Sequence, residues 1–200
     1  MNSYILSKTL NVFKNLLIAH IFFLFVMSLF RVVFFIYYSP LESLDGFYLD
    51  LLNAFFLGVR IDLTVVGYIQ IIPTLILIFI YYLKKESILY FFNNFFVYYL
   101  LFCYIVVSLL ICADFGFYSY FKEHINILFF GLMDDDTKAL IITMWENYNV
   151  VLILTLFLLY IYFLYKIVKF IFSPSYKNTK SFFGLKVSFV IFTIFFILNF

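Results

Sequence analysis

The chain has 200 residues, 66% hydrophobic, 26% aromatic and 12% charged, with a formal net charge of +2. A water-soluble globular domain is excluded, because it has no place for 32 Phe and 18 Tyr side chains. A basic nucleic-acid face is excluded as well, and the composition reads as an all-α, polytopic membrane protein with aromatic side chains at lipid-facing positions.

A helix needs about 20 apolar residues to cross a hydrocarbon core of about 30 Å. Five runs meet that need. The first covers about residues 15–38, follows Lys8 and Lys14, and ends at Ser39-Pro40. It is too long for a cleaved signal peptide and no small-residue cleavage site follows it, so it reads as an uncleaved signal anchor. Residues 41–60 carry Glu42, Asp45 and Asp50 among apolar residues, with Leu49, Leu52, Asn53, Phe56 and Leu57 at near-helical spacing. That pattern predicts an amphipathic helix lying at the interface.

The second span is predicted over 62–83. Pro73 lies inside it, a tolerable break where neighbouring helices satisfy the carbonyl that proline frees. Lys84-Lys85 closes it, and the third span runs over 90–113. Its two cysteines, Cys103 and Cys112, are roughly 13 Å apart on one helix, too far to bridge each other, and read as packing residues. The stretch 114–149 is the longest polar segment. A second interfacial helix is expected in it around Leu140, Ile141, Met144 and Trp145, with Asp136 as its N-cap. The fourth span covers 150–172. After Ser173-Pro174 and a turn with Lys177 and Lys180, the fifth covers 182–200 and ends the sequence in an apolar run. That ending reads as the membrane-embedded front of something larger, or a truncated remnant of it.

Orientation follows from the connecting segments. Lys8, Lys14, Lys84, Lys85, Lys166, Lys169, Lys177 and Lys180 share one side, whereas Glu42, Asp45, Asp50, Asp114, Glu123, Asp134 to Asp136 and Glu146 share the other. Lysine bias puts the first side in the cytoplasm, so the N-terminus is expected inside and the C-terminus outside.

Few residues invite a functional reading. Arg31 lies in the outer half of the first span. It either snorkels to the outer headgroups or serves as a buried partner for Asp62 or a lipid phosphate. Arg60 and Asp62 open the second span two residues apart, so they point in different directions and each needs its own partner. Arg60 suits a phosphate through its planar fork, Asp62 suits Arg31, and simple interfacial anchoring is the alternative for both. Asp114, Tyr118, Lys122, Glu123, His124 and Asn126 follow one another at the end of the third span, where with Arg60 they frame a candidate outer-leaflet headgroup site. His124 by itself reads as an exposed loop histidine, and His20 as a packed or hydrogen-bonded polar residue. The Asp134 to Asp136 run lacks the glycine and the distal glutamate of a calcium loop. No catalytic set and no metal-ligand set is visible: there is no nucleophile elbow, no zinc-protease helix and no phosphate-cradling glycine loop.

Three stretches together resemble the membrane domain of the lipoteichoic acid synthase-like phosphoglycerol transferases, within the sulfatase-like, alkaline phosphatase superfamily. The run Phe56-Leu-Gly-Val-Arg-Ile-Asp-Leu-Thr-Val-Val-Gly-Tyr68 is similar to the Gly-x-Arg-Phe-Asp-Leu opening of that family's second helix. Ala113 to Asn126 is similar to its Asp-x-x-Phe-Tyr-x-x-Phe stretch after the third helix. Asp134 to Tyr148 resembles its Asp-Asp-Pro-Lys-Glu segment before the fourth, with Thr137 in place of proline; His124 stands where an arginine is usual. The resemblance implies a multi-pass protein of the inner (cytoplasmic) membrane, serving as anchor and lipid-presenting domain of a phosphoglycerol or phosphoethanolamine-type transferase. It implies a threonine nucleophile and a divalent metal, usually manganese, in an extracytoplasmic domain after the fifth helix, so neither falls in these residues. The implied partners are outer-leaflet anionic phospholipid headgroups and a separate sulfatase-like ectodomain, with Arg60, Asp62, Asp114, Tyr118 and Asn126 as the lipid or docking frame. The rival expectation is a standalone integral membrane protein, such as a small transporter subunit or assembly partner.

Overall fold

An apolar chain in lipid must satisfy every backbone N–H and C=O internally, which leaves the helix as the economical local structure. The computed structural model describes residues 2–39, 46, 48–83, 86–126, 142, 145, 146 and 148–173. These residues form four long helices: α1 (Asn2–Tyr38), α2 (Tyr48–Leu83), α3 (Glu86–Phe121) and α4 (Val150–Phe172). All four are long and apolar enough to cross a membrane. At 37, 36 and 36 residues, α1, α2 and α3 are each about 54–56 Å long, well beyond the hydrocarbon thickness. The fifth expected span, the Asp134 to Asp136 run and most of the second expected interfacial helix lie outside the described residues.

Three helices are longer than the spans expected from sequence, α1 beginning at Asn2 rather than near residue 15. Residues 48–60 are not a separate interfacial element but the opening turns of α2. Asp50, Asn53, Arg60 and Asp62 lower the local hydropathy and so mimic an interface segment. Helix hydrogen bonding does not respond to hydropathy, and no proline lies within α2 before Pro73. Likewise α3 runs on past Ala113 to Phe121.

The described residues through Cys103, with the end of α4 from Val168, belong to one compact unit, and Tyr104–Ile167 to a second. In the first, α1 and α2 pack antiparallel. Phe35 meets Phe55 edge to face at 5.9 Å, Arg31 meets Asp62, and His20 meets Gln70. Buried positions recur three or four residues apart on both helices, among them Thr9, Val12, Leu16, Ala19, Phe23 and Met27 on α1, and Asp62, Val66, Ile69, Pro73, Leu77 and Ile80 on α2. That is the spacing of a close helix–helix seam. Large exposed side chains such as Ile21, Phe25, Ile36, Leu75 and Phe79 turn away from it.

The proline break in α2 is repaired by a neighbour, as the sequence reading required. Proline at 73 has no N–H to give the carbonyl of Ile69. The Tyr99 hydroxyl of α3 donates to that carbonyl at 3.1 Å instead. In the second unit, Tyr160 of α4 meets Ser108 of α3 at 2.7 Å, while the Ser108 hydroxyl also lies 2.7 Å from the Tyr104 carbonyl. The start of α4 is capped by Asn149, whose side-chain oxygen accepts from the Leu152 amide at 3.1 Å. Only 6% of the most apolar window of α4 is buried, against 28–33% for the other three helices. Its buried residues, Leu164, Val168 and Phe172, form one stripe near its C-terminal end.

Candidate functional sites

Two polar clusters are built into the helices, one in each unit. The first begins with Gly58. Four residues before Asp62, it shares that residue's face of α2, and the face turns toward α1. A Cβ placed on Gly58 would meet the Arg31 guanidinium, with Nη1 at 2.7 Å. The missing side chain is therefore the seat of the arginine. From that seat, Arg31 Nη2 donates to both carboxylate oxygens of Asp62, at 2.9 and 2.8 Å. The Asp62 side chain is 8% exposed and that of Arg31 27%. Both oxygens share one nitrogen, so the contact is not the two-pronged fork that arginine offers a phosphate. Arg31 Nη1 is buried and makes no hydrogen bond among the described residues.

Of the alternatives for Arg31, the pairing with Asp62 is present: the guanidinium lies on α2 as the counter-ion of that carboxylate. An unpaired charge at mid-helix costs about 2.5–3.5 kcal/mol on insertion scales, which explains why each residue is found with the other. Arg60 is different. Two residues along a helix is a turn of about 200°, so it leaves α2 on the side away from the seat and is exposed. Its carbonyl accepts from Thr64 at 3.2 Å.

Eight residues further along α2 the same seam carries a neutral polar chain. His20 Nε2 donates to Gln70 Oε1, and the Gln70 amide donates to Thr74 Oγ1 at 3.1 Å. His20 is thus a hydrogen-bonded core residue, as expected, while Gln70 and Thr74 were not singled out. The available signal was their polarity inside an apolar run, where a side-chain amide requires a partner.

The second cluster closes the end of α3. Lys122 takes a left-handed conformation, φ 58°, and its amide bonds the Tyr118 carbonyl at 2.9 Å, the single-bond αL termination of a helix. The chain then folds back over Asp114. Asp114 accepts from the His124 ring at Nδ1 and from the Ile125 amide, both at 2.8 Å. The His124 ring sits over Tyr118, one turn beyond Asp114, with centroids 5.2 Å apart. Asn126 donates to Glu123 at 3.1 Å, and Tyr148, next to the α4 cap, donates to Ser119 at 2.7 Å. Asp114, Tyr118, Lys122 and Asn126 thus all lie around one helix terminus, joined to it and to Glu123, His124 and Ile125 by local bonds. His124 is a central member of the cluster, more than an isolated loop residue.

Among the described residues, no group of three or more His, Cys, Asp or Glu side chains is placed to hold a metal ion. Cys103 and Cys112 are free thiols. What the two clusters do chemically is hold helices: one joins α1 to α2 through a buried charge pair, the other fixes the exit of α3. No protein-family model, curated protein or solved structure matches this chain.

Proposed function

We propose that this chain is the membrane domain of a sulfatase-like transferase of the phosphoglycerol or phosphoethanolamine type, anchoring a catalytic unit and presenting anionic lipid to it. The observation that carries the reading is the use made of Gly58 to Asp62. The stretch that resembles the family's second-helix opening supplies both the glycine seat and the carboxylate of the Arg31 clamp. It also leaves Arg60 exposed, with its fork available to a phosphate. In this reading the chain lies in the inner membrane with its N-terminus in the cytoplasm, and residues 182–200 form a fifth span that leads outside. The metal and the nucleophile belong to the catalytic unit. Asp62 then serves the frame rather than the headgroup, and the headgroup falls to Arg60.

The test is to reconstitute the chain in phosphatidylglycerol nanodiscs with a sulfatase-like ectodomain encoded beside it. Stable association and manganese-dependent release of the glycerol phosphate headgroup support the proposal. An ectodomain that ignores the chain and is equally active without it rules the proposal out. A second reading, a standalone transporter subunit or assembly partner, draws on a different observation: paired charges and a polar chain within the spans. Lipid-independent movement of a solute across chain-containing vesicles favours that reading.

A further inference from the structure

The contacts along α2 divide it at Pro73. On the N-terminal side it is tied to α1 at three levels, by Phe55, Asp62 and Gln70. Beyond Pro73 the seam continues through the apolar side chains of Leu77 and Ile80, and the side-chain bond that crosses the proline is that from Gln70 to Thr74, one residue past it. At the junction the helix lacks one hydrogen bond of its own, and its replacement comes from another helix, through Tyr99. Kinks and hinges in membrane helices form where such a bond is missing. Here the missing bond has been moved onto a side chain that can let go. Rotation of one tyrosine side chain would leave the Ile69 carbonyl bare, whereas releasing a backbone hydrogen bond within α2 would require unwinding the helix.

We propose that Pro73 and Tyr99 form a latched hinge in α2. With the latch closed, α2 is one rod. With it open, the segment from Thr74 to Leu83 swings relative to the part clamped to α1. Movement of α3 at Tyr99 is thereby coupled to the angle of that segment. The inference does not depend on which function the membrane domain serves.

A cycle of variants in the full chain tests it. Genetically encoded spin labels at the positions of Leu52 and Tyr82, both exposed, leave Cys103 and Cys112 native and report a distance of about 45 Å for a straight helix. In nanodiscs, the parent chain is expected to give one narrow distance distribution. Tyr99→Phe removes only the donor and is expected to broaden it, with the open population raised roughly tenfold. Pro73→Ala restores the amide that Ile69 lacks, so the double variant Tyr99→Phe/Pro73→Ala is expected to return to the narrow distribution. If Tyr99→Phe destabilises the whole chain, recovery of folding by Pro73→Ala carries the same message. An unchanged distribution in Tyr99→Phe overturns the hinge. Broadening or unfolding that Pro73→Ala does not reverse overturns the latch, because the effect then does not run through the Ile69 carbonyl.

Discussion

Asp62 and Asp114 are the same residue type at two helix positions, and they do different work. Asp62 is buried in the α1–α2 seam and its partner is 31 residues away in sequence, on another helix. Asp114 sits near the end of α3, and its partners, the His124 ring and the Ile125 amide, are 10 and 11 residues on. The His124 side chain is 66% exposed. Burial converts a carboxylate into a tertiary clamp, since neither member of a lipid-embedded pair is tolerated alone. Asp114, 26% exposed and paired with the exposed His124, is a local organiser whose bonds water can replace in part. The α1–α2 hairpin is thus held by bonds that are strong because they are dry, and the α3 terminus by several weak ones.

This contrast is open to direct attack, beginning where the effect is largest. Asp62→Ala leaves the part-buried Arg31 guanidinium without its counter-ion and is expected to destabilise the reconstituted chain by about 3–5 kcal/mol; single-molecule or steric-trap unfolding in bicelles reads this out. A loss under about 1 kcal/mol would put Asp62 on the footing of Asp114. Gly58→Ala places a methyl group against the Arg31 guanidinium and is expected to cost about 1–3 kcal/mol in the same assay. Gly116→Ala, in α3 where an added Cβ meets nothing within 4 Å, provides the comparison. Ser108→Ala removes the α3–α4 hydrogen bond to Tyr160 and is expected to cost about 0.6 kcal/mol, the average for such bonds between membrane helices.

For the exposed cluster the expected effects shrink further. His124→Ala is expected to cost less than about 1 kcal/mol in the same unfolding assay. Arg60→Ala is expected to leave stability within about 0.5 kcal/mol while weakening association with phosphatidylglycerol over phosphatidylcholine, measured by native mass spectrometry. Unchanged lipid preference would remove Arg60 from the proposed headgroup role.

How much of this was readable beforehand depends on range. That Asp62 needs a partner, and that Arg31 suits it, follows from the cost of charge in lipid and needs no coordinates. The Gly58 seat was not legible, because a glycine inside a helix announces nothing until another helix is laid against it. The repair at Pro73 was legible in kind, since a freed carbonyl needs a donor, but not in person. Tyr99 is one of 18 tyrosines, and which of them reaches Ile69 is decided by the packing of α3. The helical spacing expected within residues 41–60 is found from Tyr48 onward, but as the opening of α2 and not as a helix of its own, because nothing in the sequence from Tyr48 to Asp62 breaks the helix. At the end of α3 the grouping of Asp114, Tyr118, Lys122 and Asn126 was visible because the partners are close in sequence. Its purpose was not, because the left-handed turn at Lys122 carries no glycine to mark it.

The most direct test of the account is a stability cycle on the clamp itself. Arg31→Leu, Asp62→Leu and the double variant are compared with the parent chain by reversible unfolding in lipid bicelles. The account predicts that each single variant is strongly destabilised, by about 3–5 kcal/mol, and that the double variant recovers most of the loss, because no buried charge is then left alone. Additive losses in the double variant would contradict it, and would mean that Arg31 and Asp62 are held apart by partners of their own.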